Sequence, residues 1–196
     1  YIADGESGLQ VIDVTVPSAP RIVGSVNTPG QAYGLAVAGS LAYIADNGSG
    51  LHVVDVTTPS IPQLIGSVNI PGQAYGVALV GDLAYVANDT SGLRVIDVGT
   101  PTDPRIVGSM DTPGAVYGVA AFGSLAYVAA GASGMLAIDV SIPTAPRITG
   151  AVGTHDEIFG VAIANSLIYL AESSGGLTIV KIGEYGMVQP LGNITT

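Results

Sequence analysis

Tyr1, Tyr43, Tyr85, Tyr127 and Tyr169 stand 42 residues apart, with no insertion or deletion between copies. Laying residues 1–42 over residues 43–84 makes 28 of 42 positions identical. A repeat of this length limits a chain to a short menu of helical pairs, propeller blades or long solenoid rungs. Helical pairs are excluded: no window of about a dozen residues carries a 3.6-residue apolar period. Gly, Pro and β-branched residues punctuate every stretch.

The second repeat offers four short strands, GLAVA (34–38), LAYIAD (41–46), LHVVDV (51–56) and QLIGSV (63–68). Gly39-Ser40 separates the first two, and Gly81-Asp82 takes that place in the next repeat. Two-residue Gly-X links favour tight antiparallel hairpins. NGSG then joins the second strand to the third, and TTPSIP joins the third to the fourth. Leu51 and Val53 project to one side of their strand, Val54 and Val56 to the other, so both faces are apolar. A sheet with two apolar faces must be covered by other sheets. Identical meanders stacked face to face around an axis do this in a β-propeller. A β-solenoid would cover them too, but parallel rungs cannot use two-residue turns.

The expected fold is therefore all-β: a β-propeller of four-stranded antiparallel blades, with about five repeats beginning at residues 1, 43, 85, 127 and 169 of a single domain. Residues 1–26 supply only the second, third and fourth strands of a blade, and four more blades follow, the last ending in MVQPLGNI (187–194). Either an incomplete ring, as an arc of a larger propeller, or a ring with one three-stranded blade is expected. The chain opens inside a repeat, without Met or a signal-peptide pattern, and reads as a segment of a longer one.

The phrases LQVIDV (9–14), LHVVDV (51–56), LRVIDV (93–98) and LAIDV (136–140), each followed by a proline turn at fixed spacing, resemble the LVIVD repeat. That family consists of propeller repeats in bacterial and archaeal surface proteins. The resemblance implies a propeller fold and an extracellular or cell-surface location, and carries no shared catalytic residue. It weakens after residue 176, where LTIVKI puts Lys181 in place of Asp and GEYGMVQP replaces the T-x-P-x-x-P turn. Within the motif, Asp13, Asp55, Asp97 and Asp139 end the third strands, where a carboxylate can accept turn N–H groups while the prolines fix φ. This places the repeated aspartates in the architecture rather than in a repeated active site.

Charge narrows the partners. Five basic residues face fifteen acidic ones, for a net charge of −10. Binding a phosphate backbone needs clustered Lys and Arg, so nucleic acid and anionic membranes are excluded as expected partners. No apolar run reaches the roughly 18 residues of a spanning helix, so no membrane insertion is expected. With no cysteine, disulfides and thiolate metal sites are absent.

In a propeller the links into each blade's first strand share a rim with the second-to-third-strand hairpins. That rim collects Tyr33, Tyr75, Tyr117 and Phe159 with Gln31, Gln73, Asp46 and Asp89, and also Asp4, Glu6 and Glu172. Aromatic faces beside acidic and amide groups can stack on sugars or grip a protein loop. The same rings can instead pack blade to blade beside Gly. His155, Asp156 and Glu157 replace the PGQ of the earlier links and are the metal candidates, although consecutive loop residues rarely point to one centre. No cofactor is expected. Calcium is the alternative, against hairpins that lack the D-x-[DN]-x-[DN]-G spacing. Asn47, Asn88 and Asn193 head N-x-[ST] sequons, the first two read as equivalent exposed hairpin tips.

His52 lies inside a strand, at a position held elsewhere by Gln10, Arg94, Leu136 and Thr178, and reads as a variable packing or edge residue. No G-x-S-x-G elbow, H-E-x-x-H or P-loop occurs, and no carboxylate pair is singled out as a glycosidase dyad. The expected function is thus a non-catalytic extracellular or cell-surface module for protein or glycan binding, adhesion or self-assembly. The competing readings are a propeller domain of an enzyme and a metal-dependent adhesin.

Overall fold

A computed structural model describes residues 1–183 and 188–194. Among them are strands and turns but no helix, and hence no helix long and apolar enough to cross a membrane. The strands form five antiparallel sheets, each a simple meander in chain order. The first unit has three strands, β1 (Ile2–Ala3), β2 (Leu9–Asp13) and β3 (Arg21–Val26). The second has four, β4 (Gly34–Ala38), β5 (Leu41–Ala45), β6 (Leu51–Asp55) and β7 (Gln63–Val68). The third comprises β8 (Gly76–Val80), β9 (Leu83–Ala87), β10 (Leu93–Asp97) and β11 (Arg105–Met110). The fourth comprises β12 (Gly118–Phe122), β13 (Leu125–Ala129), β14 (Met135–Asp139) and β15 (Arg147–Val152). The fifth comprises β16 (Ile158–Ala164), β17 (Leu167–Glu172), β18 (Gly176–Ile182) and β19 (Val188–Ile194).

The first hairpin of each four-stranded unit turns where the Gly-X pairs predict. Gly39, Gly81 and Gly123 have φ of +59°, +57° and +61°, the left-handed conformation that opens a type II′ turn. In the fifth unit Asn165 and Ser166 both have positive φ, 51° and 63°, as a type I′ turn requires. The turn type changes while the hairpin stays.

The third strands of the first four repeats end in the same device. The Oδ1 atoms of Asp13, Asp55, Asp97 and Asp139 accept the N–H groups of Thr15, Thr57, Gly99 and Ser141 at 3.0, 2.8, 2.9 and 2.9 Å. Arg21 and Arg147 add ion pairs to Asp13 and Asp139 at 3.0 and 3.2 Å. In the third unit Arg105 turns instead to Asp103. The Thr15 bonds, then Arg21, hold the Asp13 carboxyl at about 2, below the ordinary range near 3.9. The aspartate of the motif thus closes a turn.

The units stack through their apolar faces. Tyr43, Leu51 and Val53 of the second unit meet Ala84, Val86 and Ile96 of the third. Tyr85, Leu93 and Val95 meet Ala126, Val128 and Ile138 in the same way, and Tyr127 and Met135 meet Ile168, Leu170 and Val180. Between the third and fourth strands of all five units a β-bulge breaks the register, as between Val53 and Val54. A bulge adds local twist, and here it does so at the same point of every sheet. The first strands β4, β8, β12 and β16 lie side by side. Contacts run from each unit to the next in chain order, and the series is open rather than a closed ring.

Candidate functional site

Two classes of loop meet on one edge of the stack. In the first four units the second-to-third-strand hairpin is bridged to the link that leaves its unit: Gly5 to Ala32, Asn47 to Ala74, Asp89 to Val116 and Gly131 to Ile158. The N–H groups of Tyr33, Tyr75 and Tyr117 then bond to the carbonyls of Ala45, Ala87 and Ala129 at 2.9–3.0 Å, carrying each link into the next sheet. The four aromatic residues are thereby delivered to equivalent points at the start of the first strands.

They form a continuous column. Ring centroids of Tyr33 and Tyr75, Tyr75 and Tyr117, and Tyr117 and Phe159 are 5.4, 5.6 and 5.0 Å apart, with planes tilted by 43–51°. That spacing lies within the range of favourable aromatic pairs. The following glycine makes it possible: a Cβ on Gly34 would stand 2.5 Å from the Tyr75 carbonyl oxygen, so only Gly lets these backbones approach. The column is also open to solvent, Tyr33 being 50% and Phe159 45% exposed. Gln31 and Gln73 accept the hydroxyls of Tyr33 and Tyr75 at 2.7 and 2.6 Å. Ala115 stands at the corresponding place before Tyr117 and offers no such acceptor. Burial, and then the charge of Asp89, pushes the Tyr75 hydroxyl above its ordinary value.

Two readings of the sequence are corrected here, and a third is decided between its alternatives. Asp46 is no rim ligand group, because its carboxyl is fully buried. It accepts Thr28 Oγ1 at 2.6 Å and the Gly30 N–H at 2.7 Å, tying the incoming link to the hairpin. Of the two readings of His52 the packing one holds: it lies buried in β6 with Nε2 3.2 Å from Asp46 Oδ2. The distance suits charge attraction, but neither ring nitrogen makes a well-aligned hydrogen bond to the carboxyl. Asn88 does not match Asn47. It occupies the place of Asp46, is buried, and donates Nδ2 to the Pro71 carbonyl at 2.7 Å, leaving no room for a glycan.

Asn47 has φ of 48° at the hairpin tip and is half-buried. Asn193 directs Nδ2 to Thr178 Oγ1 and His155 Nδ1 at 3.2 and 3.1 Å, and Thr195 of its sequon lies outside the described residues. His155, Asp156 and Glu157 do not converge. The Asp156 carboxylate accepts the N–H groups of Ser174 and Glu157, while His155 turns to Asn193. Among the described residues no group of three or more His, Cys, Asp or Glu side chains is placed to hold a metal.

The buried Asp46–His52 pair makes stability depend on pH. Burial lowers the His52 pKa against the opposing pull of Asp46 and the Ser49 backbone. The folded chain therefore binds fewer protons than the unfolded chain below the ordinary histidine value of about 6.5. Stability is full above that value and declines as pH falls through it. Urea unfolding of the wild type between about pH 7 and pH 5 is expected to show this decline, and His52→Leu is expected to flatten it.

Stacked antiparallel meanders with a repeated turn aspartate define a β-repeat protein. The LVIVD repeat matches residues 1–28, 29–70, 71–112 and 113–154, and the chain belongs to this family. No curated protein matches the chain. Among the solved structures similar in fold are three crystal structures. A protein of Desulfotomaculum acetoxidans described as functionally unknown superposes with a TM-score of 0.77 at 14% identity, covering 98% of this chain and 65% of its own. The computationally designed proteins Ika4 and Ika8 give TM-scores of 0.67 and 0.69 at 14% and 13% identity. This chain is covered to 82% and 90% by them, and spans 98% of Ika4 and 54% of Ika8.

Proposed function

We propose that the five units are blades of a β-propeller, as an arc or incomplete ring, and that the chain serves as a non-catalytic extracellular or cell-surface interaction module. The proposed ligand is a protein or glycan held against the aromatic rim. The observation that carries this reading is the half-exposed column from Tyr33 to Phe159, set among Gln31, Gln73 and Asp89. Equivalent groups repeated along a rim suit repeated contacts with an extended partner. Catalysis, by contrast, calls for one nucleophile, base and stabilising group in mutual geometry.

The test is Tyr75→Ala with Tyr117→Ala, read on a neutral-oligosaccharide array and a displayed-peptide library. Loss of two adjacent aromatic contacts is expected to weaken a binder found with the wild type by about 30-fold or more, the scale of one interface hot spot. Unchanged thermal unfolding would show that the loss is not one of folding. Undiminished binding by the double variant, or no binder in either library, would overturn the proposal.

A further inference from the structure

Charge is divided unequally between the two edges of the stack. Arg21, Arg105, Arg147 and Lys181 stand where the third and fourth strands join, at the edge opposite the aromatic rim. Only Arg94 stands toward the rim, where its guanidinium donates to the Ser91 carbonyl at 2.6 Å and lies 3.7 Å from Asp111. On that same edge the carboxylates of Asp4, Glu6, Asp89, Asp111 and Glu157 are exposed or half-buried.

Asp89 brings this charge onto the column. It holds the tip of its hairpin with φ of 46° and is bridged to Val116, the residue before Tyr117. Side chains at this place of the repeat lean on the link that enters their own unit. Asn47 Nδ2 is 3.5 Å from Gln31 Oε1, and a Cβ on Gly131 would stand 3.5 Å from Tyr117 Cε2. In the third unit that link carries Gln73 and Tyr75, and the Asp89 charge acts on the Tyr75 hydroxyl. The carboxylate is half-buried and makes no ion pair among the described residues. A carboxylate and the faces of neighbouring aromatic rings both attract a cation.

We propose that the ligand of the aromatic rim is an arginine-rich segment of a protein partner, its guanidinium groups lying over Tyr75 and Tyr117 and against the Asp89 carboxylate. This rests on the rim being the binding surface, and it selects a basic protein over a neutral glycan. A planar guanidinium stacks on a ring and pairs with a carboxylate at once, which a compact ammonium does less well. Rings at 5.0–5.6 Å from Tyr33 to Phe159 offer successive places, so several arginines act together. The net charge of −10 draws such a segment in from a distance.

The experiment is calorimetric titration with a decapeptide alternating Arg with Gly, up to about 1 mM peptide and at about 0.15 M salt. The control peptide carries citrulline, the neutral isostere, in place of every Arg. The Arg peptide is expected to bind, and the citrulline peptide to bind at least about tenfold more weakly. Tyr75→Ala with Tyr117→Ala is expected to weaken the Arg peptide by about tenfold or more. Asp89→Asn is expected to weaken it by about threefold to fivefold, with thermal unfolding unchanged because Asn47 already fills that place in the second repeat. Asp82→Asn removes the same charge from an exposed turn at the far edge and is expected to leave binding within about twofold. No binding of the Arg peptide, equal binding of the citrulline peptide, or equal effects of Asp89→Asn and Asp82→Asn would overturn the inference. If a neutral ligand is then found that depends on Tyr75 and Tyr117, the rim reading stands without it. Arg-peptide binding that survives the double tyrosine substitution would overturn both.

Discussion

Gly108→Ala is expected to destabilise the chain by about 3 kcal/mol. A Cβ on Gly108 would lie 1.9 Å from the Pro143 carbonyl oxygen of the next unit. Gly66 and Gly24 have the same contact with Pro101 and Pro59, both at 2.1 Å. The glycine sits beside the bulge of the fourth strand, where the proline turn of the next unit comes against the sheet. An added methyl there pushes two sheets apart. Thermal unfolding reads the difference as about 6–12 °C for Gly108→Ala, at about 2–4 °C per kcal/mol for a chain of this size. A Gly108→Ala variant that unfolds at the wild-type temperature would mean that the sheets do not approach as described.

Asp46→Ala is expected to cost about 2–4 kcal/mol, because buried donors that lose their acceptor cost about 1–3 kcal/mol each. It strands the Thr28 hydroxyl and the Gly30 N–H together, and removes the carboxyl that lies 3.2 Å from His52 Nε2. Asp46→Asn, which copies Asn88 of the third unit, keeps an acceptor and is expected to cost about 1–2 kcal/mol. The fourth unit carries Ala130 and Leu136 at the two positions and buries both. Asp46→Ala combined with His52→Leu is therefore expected to be less destabilising than the sum of the two, with a coupling of about 1–3 kcal/mol in a urea-unfolding cycle. Strict additivity would mean that Asp46 and His52 do not share one buried site.

Much of the fold is legible in single repeats. The 42-residue spacing, the Gly-X turns at Gly39, Gly81 and Gly123, and the apolar strands predict antiparallel meanders with both faces covered, which is what the sheets show. The turn role of Asp13 and its equivalents also follows from local chemistry, since a carboxylate two residues before an N–H needs no distant partner. The fifth unit was harder to read, because Lys181 and the missing proline turn remove the motif after β18 begins. Its strands nonetheless pair in the same register with the same bulge, between Ile179 and Val180. The motif marks the turn, whereas the sheet depends on alternation and on pairing with β17.

The site was less legible. Tyr33, Tyr75, Tyr117 and Phe159 do come together, stacking on one another while staying half-exposed. The buried pair was missed, although a signal was present. Positions six apart change together along the repeats, as Asp4 and Gln10, Asp46 and His52, Asn88 and Arg94, Ala130 and Leu136, and Glu172 and Thr178. The polar pair disappears from both positions at once in the fourth repeat, as expected for side chains on one face of a hairpin. The two hairpin sequons misled for a related reason: Asn47 and Asn88 are 41 residues apart, one short of the repeat, so their side chains point to different surroundings.

The sequence by itself determined the period, the antiparallel meander and the turn aspartates, because each rests on backbone conformation and hydrogen bonds within a few residues. Only the tertiary structure decided which rim carboxyl meets solvent and which is sealed inside. Asp46 and Asp89 sit one residue apart in the repeat, and the side chain that turns inward is the one met by the link from the preceding unit. Burial of a polar group depends on the position of a neighbouring sheet, which no short run of residues carries.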